Sequence, residues 1–259
     1  AGDVNGDGFA DLLIGAPNND AGGDAAGAAY VVFGRAGGFG KVDLDGVAAG
    51  RGGFKIIGEA TLDYAGASVS GAGDVNGDGF ADLIVSAGGR NAGGYNTGAA
   101  YVVFGKAGGF ATVDLDDVAA GRGGFKIVGE LGSSVSGAGD INGDGLTDLI
   151  VGGHGSAHVV FGKAGGFATV NLADVAAGRG GFEIVGEVGR SDVGRSVSGA
   201  GDVNGDGFDD LIVGDPYDSV DGGDFDVGAA YLVFGKTDGF TVDLDEVAAG
   251  IGGFKVIGQ

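Results

Sequence analysis

The chain of 259 residues contains no cysteine, which removes disulfides, thiolate metal sites and cysteine nucleophiles together, although it leaves the redox compartment open. Histidine is nearly absent too, with only His154 and His158. Their spacing of four would suit a metal pair on a helix, but their surroundings are β-rich. His158 stands where the other repeats place tyrosine, so it reads as a structural substitution. No stretch of about 18 apolar residues occurs, and no membrane-spanning segment is expected. Bases are scarce: 14 Lys and Arg face 36 Asp and Glu, for a net charge of -22. A field of that sign repels nucleic acid and anionic lipid, so neither is expected as a partner. Despite 64 glycines, there is no G-x-S-x-G elbow, no phosphate-binding glycine loop and no HExxH. Neither a signal peptide nor an initiator methionine is present, and the expectation is a mature or excised segment.

What the chain does have, it has four times. GDVNGDGFADLLIG (2–15), GDVNGDGFADLIVS (73–86), GDINGDGLTDLIVG (139–152) and GDVNGDGFDDLIVG (201–214) are versions of one stretch. Each is a D-x-N-x-D-G-x-x-D loop running into an apolar strand. Side-chain oxygens at positions one, three, five and nine, with a backbone carbonyl at seven, form the hard-oxygen donor set that Ca2+ takes up. The candidate ligands are Asp3, Asn5, Asp7, the Phe9 carbonyl and Asp11; Asp74, Asn76, Asp78, the Phe80 carbonyl and Asp82; Asp140, Asn142, Asp144, the Leu146 carbonyl and Asp148; and Asp202, Asn204, Asp206, the Phe208 carbonyl and Asp210. The loop is shorter than an EF-hand and ends in Asp, and DLIV is too short and β-rich for an exiting helix. A single copy could be an ordinary polar turn. Four intact copies favour about four calcium ions, one per repeat.

Repetition makes the chain one quasi-symmetric unit spanning 1–259, with repeats at about 1–58, 66–129, 132–186 and 194–258. Four strands are expected in each. The first is small and glycine-rich (SVSGAG), the second and third are continuous apolar runs (DLIV, AAYVVFG), and the fourth alternates (GFKII). Crowded small strands, doubly covered middle strands and a half-polar outer strand describe one blade of an all-β propeller. The first repeat lacks the SVSG that opens the others. Between strands three and four, LDDVAAG allows either one helical turn capped by Asp or an extended loop.

DVNGDGFADLLIGAP (3–17) resembles the FG-GAP repeat of the integrin α-chain propeller and of many secreted bacterial proteins, and the resemblance covers essentially the whole chain. It implies a β-propeller with one calcium in each loop between strands one and two, and extracellular or cell-surface adhesion or ligand-binding roles. The sequence departs from the family pattern where Phe-Gly would stand, at Ala65-Gly66, Leu131-Gly132 and Val193-Gly194, and Gly-Ala-Pro survives only at 15–17. Integrin-type rings have seven blades, so four repeats imply either a small closed ring or part of a larger one that flanking repeats or a second chain would complete.

In an up-and-down blade, the loops after strands two and four share a face, opposite the calcium loops. Here that face differs in every repeat, and it carries the four unrepeated aromatics: Tyr64, Tyr95, Tyr217 and Phe225. They either pack on their own loops or form a recognition surface, with Arg90 and Arg190 nearby. The acidic stretch around Asp215, Asp218, Asp221, Asp224 and Asp226 reads as a solvated loop. The leading expectation is a non-catalytic, calcium-binding extracellular adhesion or interaction module with a protein or glycan ligand. The alternatives are a lectin-like propeller and a hydrolase built on a carboxylate pair.

Overall fold

The computed structural model describes residues 1–89, 98–186, 192–218 and 227–258. They form two compact units, Ala1–Gly129 with Lys163–Val170 and Glu130–Gly162 with Asn171–Gln259. The chain is mostly β, with four sheets that match the expected blades.

In the second repeat the strands are Val69–Gly73, Asp82–Ala87, Gly98–Val103 and Gly124–Gly129, antiparallel and in that order across the sheet. The third repeat uses Leu131–Gly139, Asp148–Gly153, Ser156–Val160 and Gly181–Val185, and the fourth uses Ser196–Gly201, Asp210–Asp215, Ala229–Val233 and Gly253–Ile257. The first repeat contributes three strands of its own, Leu12–Ala16, Ala28–Val32 and Gly53–Ile57. Strands two and three are fully buried in the second repeat, as continuous apolar runs require when both faces are covered.

One feature of the blades departs from the sequence reading. In the first and third repeats the fourth strand is not a free edge, because a two-residue strand from the following repeat pairs with it in parallel. Val113–Asp114 lie beside Ile56–Ile57, and Val242–Asp243 lie beside Ile184–Val185. The same Val-Asp leads into the helical turn. Leu44–Ala48, Leu115–Ala119, Leu172–Ala176 and Leu244–Ala248 are single-turn helices, so the extended alternative is set aside. The residue before each helix, Asp43, Asp114, Asn171 or Asp243, is extended and accepts a hydrogen bond from the backbone N–H two residues on, which caps the turn.

A cross-strand pair recurs on strands three and four: Tyr30 opposite Lys55, Tyr101 opposite Lys126, and Tyr231 opposite Lys255. The third repeat replaces it with His158 opposite Glu183. Burial pushes His158 down to about 4, so its imidazole is neutral at pH 7. Each Tyr–Lys pair has a polar neighbour from a loop. Asn19 takes Lys55 at 2.8 Å, Glu59 takes Lys126 at 2.6 Å together with the Tyr101 hydroxyl, and Asp218 takes Lys255 at 2.8 Å together with the Tyr231 hydroxyl. Asp218 is therefore buried and engaged in the blade, and Asp215 is buried as well. This corrects the reading of those two residues as part of a solvated loop; Asp221, Asp224 and Asp226 lie outside the described residues.

Candidate metal loops and the variable face

The four D-x-N-x-D-G-x-x-D loops share one geometry. In the first, Asp3 accepts the N–H groups of Gly6 (2.8 Å), Asp7 (3.1 Å) and Gly8 (2.8 Å), and Asn5 accepts that of Asp7 (2.9 Å). Asp7 in turn accepts the N–H of Phe9 at 2.9 Å. Asp74, Asp140 and Asp202 repeat the set to within about 0.2 Å. Gly6 and Gly8, at φ of 74° and 87°, supply left-handed backbone that a side chain would disfavour.

The ninth-position Asp does something the motif alone does not reveal. Asp82 accepts the N–H of Val75 at 3.0 Å and that of Gly105 at 2.9 Å, tying its own loop to the end of strand three. Asp11 does the same with Val4 and Gly34, Asp148 with Ile141 and Gly162, and Asp210 with Val203 and Gly235. All four side chains are buried. Burial, with smaller contributions from the two loop carboxylates beside each, pushes Asp82 and Asp148 up to about 7 against their backbone donors, and it also raises Asp11.

Among the described residues no three His, Cys, Asp or Glu side chains are drawn into a metal cluster. The loop carboxylates instead face their own backbone N–H groups. The donor set nevertheless fits a hard dication, because every side chain at positions one, three, five and nine offers oxygen. Three acidic groups within nine residues, one of them buried, also repel one another until a cation is supplied.

On the opposite face, the loops after strands two and four meet. In the first repeat Leu62 donates to the Asp24 carbonyl, Tyr64 to Ala25 and Ala65 to Ala26, all near 3 Å. Tyr64 is exposed and sits at a φ of 52°, left-handed backbone that a residue other than glycine adopts at a cost. In the fourth repeat, exposed Tyr217 lies 5.9 Å from the guanidinium of Arg195. Tyr95, Phe225, Arg90 and Arg190 lie outside the described residues. Sequence reasoning passed over one group in the second unit: a cavity of about 360 Å3 lined by Gly132, Gly153, His154, Asp192 and Arg195. Asp192 pairs with Arg195 at 3.1 Å and donates its N–H to Asp215. Only the unrepeated character of these loops could have pointed to it.

The FG-GAP repeat pattern matches residues 1–32, 65–103, 131–168 and 193–233, more than half of the chain, and it matches once on each blade. The chain belongs to the FG-GAP repeat family. Integrin alpha-PS5 of Drosophila melanogaster is 35% identical over 165 residues, covering 61% of this chain and 16% of that protein. The phosphatidylinositol-glycan-specific phospholipase D of Homo sapiens is 33% identical over 164 residues, covering 56% of this chain and 18% of that protein. The FG-GAP chain thus spans less than a fifth of either relative. No helix among its described residues is long and apolar enough to cross a membrane.

Proposed function

We propose that this FG-GAP chain is a calcium-stabilised, non-catalytic binding module of an extracellular or cell-surface protein. Its ligand, a protein or a glycan, docks on the variable face. The observation that carries the reading is the contrast between the two faces. One repeats an all-oxygen loop four times with the same hydrogen bonds, which is what a conserved inorganic requirement would produce. The other differs in every blade and exposes Tyr64 and Tyr217. The relatives' names, an integrin α chain and a phospholipase D, fit a module that serves different whole proteins. The extracellular placement is drawn from the likeness to an integrin α chain, and it agrees with loops that, at the Kd of about 0.1 to 1 mM typical of extracellular modules, would fill only in millimolar calcium.

Calcium titration by calorimetry, with native mass spectrometry for stoichiometry, tests the metal. About four ions are expected, and about three after Asp78→Ala, whose side chain is exposed and outside the strand-tying bonds. No bound metal in millimolar calcium would sink this part. A glycan array and a surface-protein display screen, both in millimolar calcium, test the ligand. Binding that falls at least tenfold in Tyr217→Ala supports the variable face, and binding unchanged in both Tyr64→Ala and Tyr217→Ala removes it. Turnover of any screened substrate that depends on one unrepeated carboxylate would overturn the non-catalytic assignment.

A further inference from the structure

The connection between strands two and three is cut short in the third repeat. In the first repeat it runs from 17 to 27, and its Asp24, Ala25 and Ala26 carbonyls accept the N–H groups of Leu62, Tyr64 and Ala65. That loop therefore lies over the chain leaving strand four. In the third repeat only His154 and Gly155 separate the two strands. The chain leaving its strand four is otherwise placed alike: a Cβ on Gly194 would strike the Ser156 carbonyl at 2.2 Å, as one on Gly66 would strike that of Ala28 at 2.3 Å. Counting back from the shared SVSG, Asp192 is the counterpart of Tyr64. A two-residue turn is too short to lie over it. The cavity of about 360 Å3 lined by Gly132, Gly153, His154, Asp192 and Arg195 sits where the first repeat has its loop, and all five residues belong to the second unit.

Buried Asp215 braces one wall of this cavity. A single one of its carboxylate oxygens accepts the N–H of Asp192 at 3.3 Å and that of Tyr217 at 3.1 Å, so the two backbones are held together from below. The other repeats have no acid at this place, where Ala16, Ala87 and Gly153 stand. Above it, Arg195 pairs with Asp192 at 3.1 Å and its guanidinium lies 5.9 Å from the centre of the Tyr217 ring. A carboxylate, a guanidinium and an aromatic ring are thus presented on braced backbone, with His154 exposed at the rim. The volume falls in the range of about 300 to 1,000 Å3 that small-ligand sites occupy. Unlike most such sites, it has no apolar side chain among its described lining residues.

That lining selects by chemistry. An apolar ligand would take water from the ion pair and give nothing in return. An anion would face Asp192 as well as Arg195, on a chain of net charge -22. A cation would face Arg195 as well as Asp192. A neutral polyol meets neither conflict, because each hydroxyl both donates and accepts. Two adjacent hydroxyls can donate to the Asp192 carboxylate and accept from the Arg195 guanidinium together, while exposed Tyr217 offers its ring to the C–H face of a sugar. We propose that the cavity between the third and fourth repeats is a saccharide subsite, which takes one neutral pyranose through two adjacent hydroxyls on Asp192 and Arg195 with Tyr217 as its platform. This rests on the reading that the variable face binds a ligand, and it commits that ligand to a glycan.

Saturation-transfer NMR on the whole chain in millimolar calcium tests this, with the methyl glycosides of mannose, galactose, fucose and N-acetylglucosamine as probes. At least one glycoside should receive transfer, and that signal should be lost in Asp192→Ala and in Arg195→Ala. Both side chains are substantially exposed, at 44% and 63%, so the variants should keep the parent's circular dichroism spectrum. Tyr64→Ala, in the first unit, should bind like the parent. Transfer to none of the four, or transfer that persists in either Asp192→Ala or Arg195→Ala, would overturn the proposal. The wider reading fails separately. A partner from the surface-protein screen whose binding falls in Tyr64→Ala or Tyr217→Ala keeps the variable face as the binding surface even when no glycoside binds.

Discussion

Asp63 is fully buried in the loop leaving strand four of the first repeat, and neither carboxylate oxygen has a hydrogen-bond partner among the described residues. Removal from water pushes its pKa up to about 6; Glu59 and Asp116 add to the shift, while the Lys126 ammonium and the nearby Ala60 N–H, which falls short of hydrogen-bond geometry, oppose it. The folded state therefore holds this proton more tightly than the unfolded chain. Its protonation contributes stability at low pH, and that contribution is lost as pH rises from about 4 to about 6. Asp63→Asn should be more stable than the parent by about 1 to 3 kcal/mol at pH 7.5, with the advantage shrinking by pH 4.5. Urea melts at the two pH values check this. An advantage of the same size at both would show that the gain comes from packing or a new hydrogen bond instead of ionisation.

At the scale of elements, the repeated loop and the two apolar strands after it were legible because their chemistry is local: oxygen spacing, glycine turns and uninterrupted hydrophobic runs. The two-residue strand Val113–Asp114 was not, since two residues carry no periodicity and its partner Ile56–Ile57 is a whole repeat away. The acidic loop misled for a related reason. Composition shows its charges but not the Lys255 and Tyr231 that wait beneath Asp218. The capped turn fell in between, with Asp and Gly in the right places and too few residues to decide. The cap predicts its own measurement: Asp114→Ala should cost about 1 kcal/mol, and Asp114→Asn much less, as Asn171 already does this work in the third repeat. Gly124 faces a harder constraint, for a Cβ there would lie 1.9 Å from the Val102 carbonyl. Gly124→Ala should cost about 2 to 3 kcal/mol or more by forcing strands three and four apart, read as a lower urea midpoint. Parent-like stability would mean that the two strands part without loss.

For the whole molecule, the dominant quantity is a net charge of -22, with 13 of its 36 acids crowded into four nine-residue loops. Folding brings each set of carboxylates together and buries the ninth-position Asp, so the folded state gains from a dication more than the unfolded chain does. If each loop binds calcium with Kd of about 0.1 mM, then about 1 mM calcium adds about 1.4 kcal/mol per loop. Four loops acting independently reach about 6 kcal/mol, comparable with the ~5 to 15 kcal/mol that is a domain's entire stability. At about 2 to 4 °C per kcal/mol for a chain of this size, chelation should lower Tm by roughly 10 to 20 °C. Salt separates the two contributions to that shift. About 1 M sodium chloride contracts the screening length to roughly 3 Å and should recover the part due to general repulsion. It cannot replace ligation within the loops, so a residual gap between chelated and calcium-loaded protein should persist at high salt. Full recovery by salt would reduce calcium to a counterion, and a Tm indifferent to chelator at low salt would leave the loops as polar turns held by their own backbone.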